Sequence, residues 1–152
     1  GGYQTPSILF DEPTSQVAEL ESIIRKTIEV YRASFAEDTC GLIRSFPDKF
    51  YLRSWFVRLL KSGYQNPHIH TSGWISGVFY LNVPQLRSEG AGAIEFSLHG
   101  YDYPILNENY PILRHDPVPG DIVLFPSSLF HRTIPFNSDE ERMIVAFDVI
   151  PE

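Results

Sequence analysis

The sequence predicts a mainly β protein, an antiparallel sandwich or barrel with one leading helix. Three observations predict it. A single stretch carries a helical period, a series of later runs has the aromatic and β-branched composition of strands, and turn signals separate those runs with no second long helix among them. A chain of 152 residues fits one domain better than two. A domain of this size can bury a core without a disulfide or metal staple.

The elements follow in order. Residues 1–13 are expected to be a tail, its Gly1-Gly2 start a tag scar, with residues 14–152 as the single domain. From Thr14 to Phe35, the residues Val17, Leu20, Ile24, Thr27, Tyr31 and Phe35 recur at spacings of three and four, with charged residues between them. Thr14 or Ser15 can cap that helix by accepting its orphan N–H groups. After Cys40-Gly41 the period changes. Strands are expected over Phe50–Leu60, Trp74–Val83, Ala93–Leu98, Ile122–Phe125 and Arg142–Ile150, with short ones around Ile43, Ile112 and Thr133. Ser62-Gly63, Val83-Pro84, Glu89-Gly90, Val118-Pro119-Gly120-Asp121 and Asn137-Ser138-Asp139 mark the turns. Residues 99–117, rich in Tyr, Pro and Asn, read as a long loop over one end.

Composition narrows the function classes. The net charge is −7 and no basic patch is visible, so neither nucleic acid nor an anionic membrane is an expected partner. Cys40 is the only cysteine, which excludes a disulfide within the chain and points to a reducing, cytoplasmic setting. No apolar run reaches the roughly 18 residues that a transmembrane helix needs. The chain starts without Met, as a piece of a longer protein would.

The chemistry centres on Asn66-Pro67-His68-Ile69-His70. In a strand, residues two apart face the same side, so His68 and His70 would present both imidazoles close enough to share an ion. Taken alone, such a pair is also an ordinary half-exposed strand end. A third histidine, His131, follows a turn, an apolar strand and the Pro126 corner. His99 and His115 fall in the loop region and read as solvated.

The run from His68 through Thr-Ser-Gly-Trp-Ile-Ser-Gly-Val-Phe-Tyr-Leu-Asn-Val to Pro84 resembles the core of the 2-oxoglutarate/Fe(II) oxygenases. Their pattern is His-x-His, Ser-Gly-Val-Tyr-Tyr-Leu, a Gly-rich strand, Pro-x-x-Gly, Phe-Pro-Ser with a histidine, then an arginine. Gly92–Phe96, Pro119-Gly120-Asp121, Leu124–Ser127, His131 and Arg142 supply the later pieces in order, so the resemblance covers about residues 50 to 150. It implies a double-stranded β-helix (a cupin-like jelly roll) with the N-terminal helix packed on one sheet.

It also implies residue roles. Non-haem iron is commonly held on one face by two histidines and a carboxylate, with positions left open for cosubstrate and O₂. His68 matches the first histidine and His131 the distal one. His70 stands where an Asp is usual, and three imidazoles can still hold Fe(II), with one negative charge fewer. Should His70 not ligate, Glu95 or Asp121 is the alternative carboxylate. Arg142 matches the basic residue that binds the far carboxylate of 2-oxoglutarate, a task suited to the guanidinium fork. Tyr80, on the same strand face as Ser76 and Val78, would donate to that carboxylate, with Ser76 nearby in the same pocket. Arg132, directly after its histidine, should face the other way. Trp55, Phe56 and Trp74 are either packing or pocket walls. Loops 84–92 and 99–117 would shape the entrance for a small molecule or a protein side chain.

The implied activity is oxidative decarboxylation of 2-oxoglutarate coupled to hydroxylation of an unknown substrate by O₂. Two rivals remain: a three-histidine cupin-like dioxygenase that uses no 2-oxoglutarate, and a non-catalytic jelly-roll binding module. Against a typical cupin, Thr71–Gln85 contains no acid.

Overall fold

The computed structural model describes residues 1–84 and 90–152. Residues 85–89, most of the expected 84–92 loop and including Glu89 of the Glu89-Gly90 turn, lie outside the described residues. In chain order the elements are β1 (Gly2–Gln4), α1 (Ser15–Ser34), α2 (Gly41–Arg44), β2 (Phe50–Leu59), β3 (Gln65–His68), β4 (Ile75–Asn82), β5 (Ile94–Ser97), β6 (Leu113–His115), β7 (Ile122–Pro126), β8 (Phe130–Thr133) and β9 (Arg142–Pro151). They form a five-stranded sheet ordered β1-β2-β9-β4-β7 and a four-stranded sheet ordered β3-β8-β5-β6. Every pairing is antiparallel. The two facing sheets make a double-stranded β-helix with a leading helix.

The larger sheet is buried on both faces, and β9 shows how. Ile144 and Ala146 turn toward the smaller sheet, into a core with Trp55, Val78, Tyr80, Phe96 and Phe125. Val145, Phe147 and Val149 turn the other way, against α1 and the Phe10 segment. The period of two thus feeds two cores from one strand. Helix α1 covers the outer core with Ile24 and Ile28, both wholly buried, a spacing of four that aligns them on one helix face. Fully burying such a side chain stabilises by about 1.5–3 kcal/mol relative to leaving it exposed.

Three local expectations differ. Thr27 is not on the helix stripe: its hydroxyl donates to the Ile23 carbonyl at 2.9 Å, and Ile28 takes the buried place. Thr14 holds the N-cap position, but its side chain makes no capping bond. Around Ile43 there is no strand. The Cys40 carbonyl accepts from both Ile43 and Arg44 N–H, closing the single helical turn α2. Within residues 1–13, Gly2–Gln4 pair with Val57–Leu59 and Phe10 is buried in the outer core.

Candidate functional site

A cleft of about 440 Å³ opens between the sheets, walled by Trp55, His68, His70, Val78, His131 and Arg142 among others. That lies within the roughly 300–1,000 Å³ usual for small-molecule sites. The two sheets contribute different chemistry. His68 on β3 and His131 on β8 come from the smaller sheet, where they are cross-strand partners. Arg142 on β9, with Tyr80 and Ser76 on β4, comes from the larger sheet.

His70 lies just beyond β3, so strand pleating alone does not aim it. Its backbone N–H donates to the Ser127 carbonyl at 2.9 Å, and Gly73 N–H closes a turn onto the His70 carbonyl at 3.3 Å. A side chain at Gly73 would overlap Ser127, so glycine permits this close approach. The result is that His68, His70 and His131 offer nitrogens that all lie within 4.8 Å of one another, a grouping able to hold one metal ion.

The ring partners fix which nitrogens those are. His68 Nδ1 faces the Asn66 carbonyl at 2.7 Å, and His131 Nδ1 faces the Leu129 carbonyl at 3.1 Å. His70 Nδ1 faces a carboxylate oxygen of Asp148 at 2.5 Å. Each of those oxygens can only accept from the ring, which assigns the proton to Nδ1 and leaves the Nε2 lone pair of all three rings free. Burial, reinforced by the neighbouring His68, pushes His131 down to about 3, so it is neutral and able to ligate at ordinary pH. Burial lowers His68 as well, against the hydrogen bond to Asn66.

Asp148 is the functional residue that sequence reasoning missed. It is wholly buried on β9. Its Oδ1 accepts from His70 and, at 2.7 Å, from Ser76; its Oδ2 accepts from Arg53 at 2.8 Å. Burial alone would raise the carboxyl, but the bonds from His70, Arg53 and Ser76 outweigh it and hold Asp148 below the usual carboxylate range. Ser76, expected in the cosubstrate pocket, is placed behind His70, where its hydroxyl meets Asp148 and the Ser127 hydroxyl. The register explains the placement, since Ser76 is paired directly with Asp148. A signal for Asp148 was present: it is the one charged residue in the apolar run Met143–Ile150, and a charge in such a run is buried only when paired.

Arg142 is 1% exposed, yet its Nε and Nη1 have no hydrogen-bond partner among the described residues. The acids beside it pair elsewhere, Asp139 with Lys61 and Glu141 with Arg58. The guanidinium carbon lies 5.0 Å from the centre of the Tyr80 ring, and the buried Tyr80 hydroxyl has no partner other than that guanidinium among the described residues. Burial lowers the guanidinium from its ordinary range, partly offset by Tyr80, and raises the Tyr80 hydroxyl, partly offset by Arg142. A buried cation left without an anion is costly. The cleft wall that holds the three histidines therefore also holds a buried cation with two unpaired donors, where a carboxylate would offset its charge.

The remaining candidates are engaged elsewhere. Glu95 accepts from Arg114 and Arg132, both at 2.6 Å, and Asp121 is bonded to His115 and to Val118 N–H. Trp55 flanks the His70 ring at 5.4 Å between centres. Trp74 donates to the Leu42 carbonyl and packs with Phe56 in the outer core. His99 donates to the Tyr103 carbonyl. The long loop does reach the histidines: Ile69 N–H donates to the Tyr101 hydroxyl at 3.4 Å, and the Tyr101 ring packs edge-on against Phe130. Tyr101 holds a φ of 53°, uncommon for a residue other than glycine.

Comparison with curated proteins finds no match. Among solved structures, the viral collagen prolyl hydroxylase vCPH of Paramecium Bursaria Chlorella virus-1, in a 2OG complex, superposes with a TM-score of 0.60 at 17% identity, over 100% of this chain and 80% of that one. HygX from Streptomyces hygroscopicus, with nickel and 2-oxoglutarate bound, gives 0.54 at 15% identity, over 99% and 82%. An oxidoreductase of the 2OG-Fe(II) oxygenase family from Burkholderia pseudomallei gives 0.51 at 16% identity; 72% of this chain aligns, spanning only 47% of that longer one. These likenesses show the fold. The family described as "Putative 2OG-Fe(II) oxygenase" matches residues 53–148, a span that runs from Arg53 to Asp148 and takes in all three histidines and Arg142. With well over half the chain matched, it belongs to the 2OG-Fe(II) oxygenase family.

Proposed function

We propose that His68, His70 and His131 hold Fe(II) through their Nε2 atoms, and that Arg142 with Tyr80 takes the far carboxylate of 2-oxoglutarate. The chain is then an oxygenase that uses O₂ to couple oxidative decarboxylation of 2-oxoglutarate to succinate and CO₂ with hydroxylation of a C–H bond, one oxygen atom entering succinate and the other the alcohol. The observation that carries this reading is the Arg142 guanidinium, buried in the histidine cleft with two donors unpaired among the described residues.

The iron, when bound, supplies the oxygen chemistry, and the protein supplies placement. Arg142 and Tyr80 orient the cosubstrate by its distal end, so that its 2-oxo acid end faces the histidines. Trp55, Val78, Ile94 and Ala146 line the cleft between those two points and exclude water from it. The cleft is also lined by Gln4, Gln65, Asn66 and Thr133, and by Arg132, whose charge is paired with Glu95. A small molecule or side chain able to hydrogen-bond suits that lining.

Anaerobic Fe(II) titration with and without 2-oxoglutarate tests the reading. A weak visible charge-transfer band that needs both components is the expected result. Iron binding without any such band would instead favour a three-histidine dioxygenase that does not use the cosubstrate.

A further inference from the structure

We propose that Asp148 is a positioning residue that supplies, through His70, the negative charge that a three-histidine metal face lacks. This rests on the metal reading above. In a two-histidine-one-carboxylate site the charge sits on a ligand. Here the carboxylate is one imidazole removed, and the geometry is specific to one histidine. The Nδ1–H groups of His68 and His131 point at main-chain carbonyls, which are neutral dipoles. That of His70 points at a full carboxylate at 2.5 Å. A carboxylate behind a metal-bound imidazole fixes its tautomer and orientation and makes it a stronger donor.

The surroundings of Asp148 serve that purpose. Ser76 donates to the same oxygen that His70 uses, and Ser127 supports Ser76 at 2.8 Å. The second oxygen is held by Arg53, whose side chain is 35% exposed, while Asp148 itself is 0% exposed. Arg53 therefore competes with His70 for the charge of one carboxylate from its solvent side. Removing Asp148 and removing Arg53 should push the metal in opposite directions. A network that merely holds the fold together would be weakened by either change.

The test is calorimetric Ni(II) titration of the full chain, with the Fe(III)/Fe(II) midpoint potential measured without 2-oxoglutarate. The variants are Asp148→Asn, Arg53→Gln, His70→Ala and the double variant His70→Ala with Asp148→Asn. Asp148→Asn should weaken Ni(II) binding roughly 10- to 100-fold, the range seen on loss of such outer partners, and raise the midpoint potential. Arg53→Gln should bind Ni(II) as tightly as the unaltered chain or more tightly, and lower the potential. On the His70→Ala background, adding Asp148→Asn should change Ni(II) affinity less than about twofold, because distant effects add and shared ones do not. If Asp148→Asn fails to fold, the sign of the Arg53→Gln shift decides. Equal Ni(II) affinity in Asp148→Asn, a weakened Arg53→Gln, or an Asp148 effect that survives without His70 would each overturn the proposal alone. An unaltered chain that binds no Ni(II) would overturn the metal reading and this one with it.

Discussion

Arg142 lies over the ring of Tyr80 at 5.0 Å, and both carry buried polar atoms with no partner among the described residues. Loss of a charge-assisted pair is worth about 1.5–3 kcal/mol. Arg142→Ala should therefore weaken 2-oxoglutarate binding roughly 10- to 150-fold, measured by calorimetry on the metal-loaded protein. Metal affinity should stay within about twofold, since Arg142 is not in the histidine cluster. Unchanged 2-oxoglutarate affinity would remove the cosubstrate assignment.

Tyr80→Phe should act with opposite signs on binding and stability. The hydroxyl's hydrogen bond to the ligand is worth about 0.5–1.5 kcal/mol, so affinity should fall by a few fold to about tenfold. Without ligand the hydroxyl is buried with no partner beyond the Arg142 guanidinium among the described residues, and deleting it should leave the melting temperature unchanged or raised. A clear drop in the ligand-free melting temperature would mean that the hydroxyl already has a partner.

Exchanges among the histidines separate ligand from charge. His131→Ala should abolish micromolar Fe(II) binding. His70→Asp should keep the iron site by restoring the usual carboxylate, although the new carboxylate would meet Asp148 without the intervening ring. Its expected outcome is retained Fe(II) and 2-oxoglutarate binding, with succinate formation in the absence of substrate persisting. Loss of iron from His70→Asp but not from His70→Ala would exclude position 70 from the ligand set.

The ligand-free protein should lose stability as pH falls from about 6.5. His131 takes up a proton near 6.5 when unfolded but only at about 3 when folded, so the unfolded state binds more protons throughout that window. Stability then rises with pH across it, by up to about 1.4 kcal/mol per unit for one such group. The lowered Asp148 acts in the same direction, confined to the region below its unfolded value of 3.8. Melting curves of metal-free His131→Leu between pH 7 and 5 should be flatter than those of the unaltered chain. Parallel curves would show that His131 is not held neutral.

Gly77 stands in the Ser-Gly-Val run of the family pattern, yet its role is packing. It is paired with Phe147, and a side chain there would overlap the Phe147 ring. Gly77→Ala should cost about 1–3 kcal/mol, a fall of several degrees in melting temperature for a domain of this length. Affinity for 2-oxoglutarate should change little in the variant that remains folded.

The strands were legible where they were long or alternated, and the three histidines and Arg142 were legible through their order along the chain. Other features depended on contacts distant in sequence. Asp148 meets His70 across 78 positions, and nothing local to either predicts it. Three-residue β1 is too short to show a period, and α2 reads as apolar before any pattern can repeat. Ser76 and Tyr80 share a strand face, as expected, but one ends behind a histidine and the other beside the arginine. The partner strand decides that, because Ser76 is registered on Asp148 and Tyr80 on Ile144.

Strand β9 carries both Arg142 and Asp148, six positions apart on one face. At about 3.3 Å per residue the strand sets a span of about 20 Å between them. On the proposed reading it is a ruler whose marks are the anion anchor and the residue that aims His70. A shift of one residue between the marks would turn one of them onto the helix side, since the side-chain period is two. The spacing of the two residues is thereby fixed by a strand bonded on both sides, to β2 and to β4. On that reading, changes of substrate fall to Gln4, Gln65, Asn66 and the Tyr101 loop, which can vary without moving either mark.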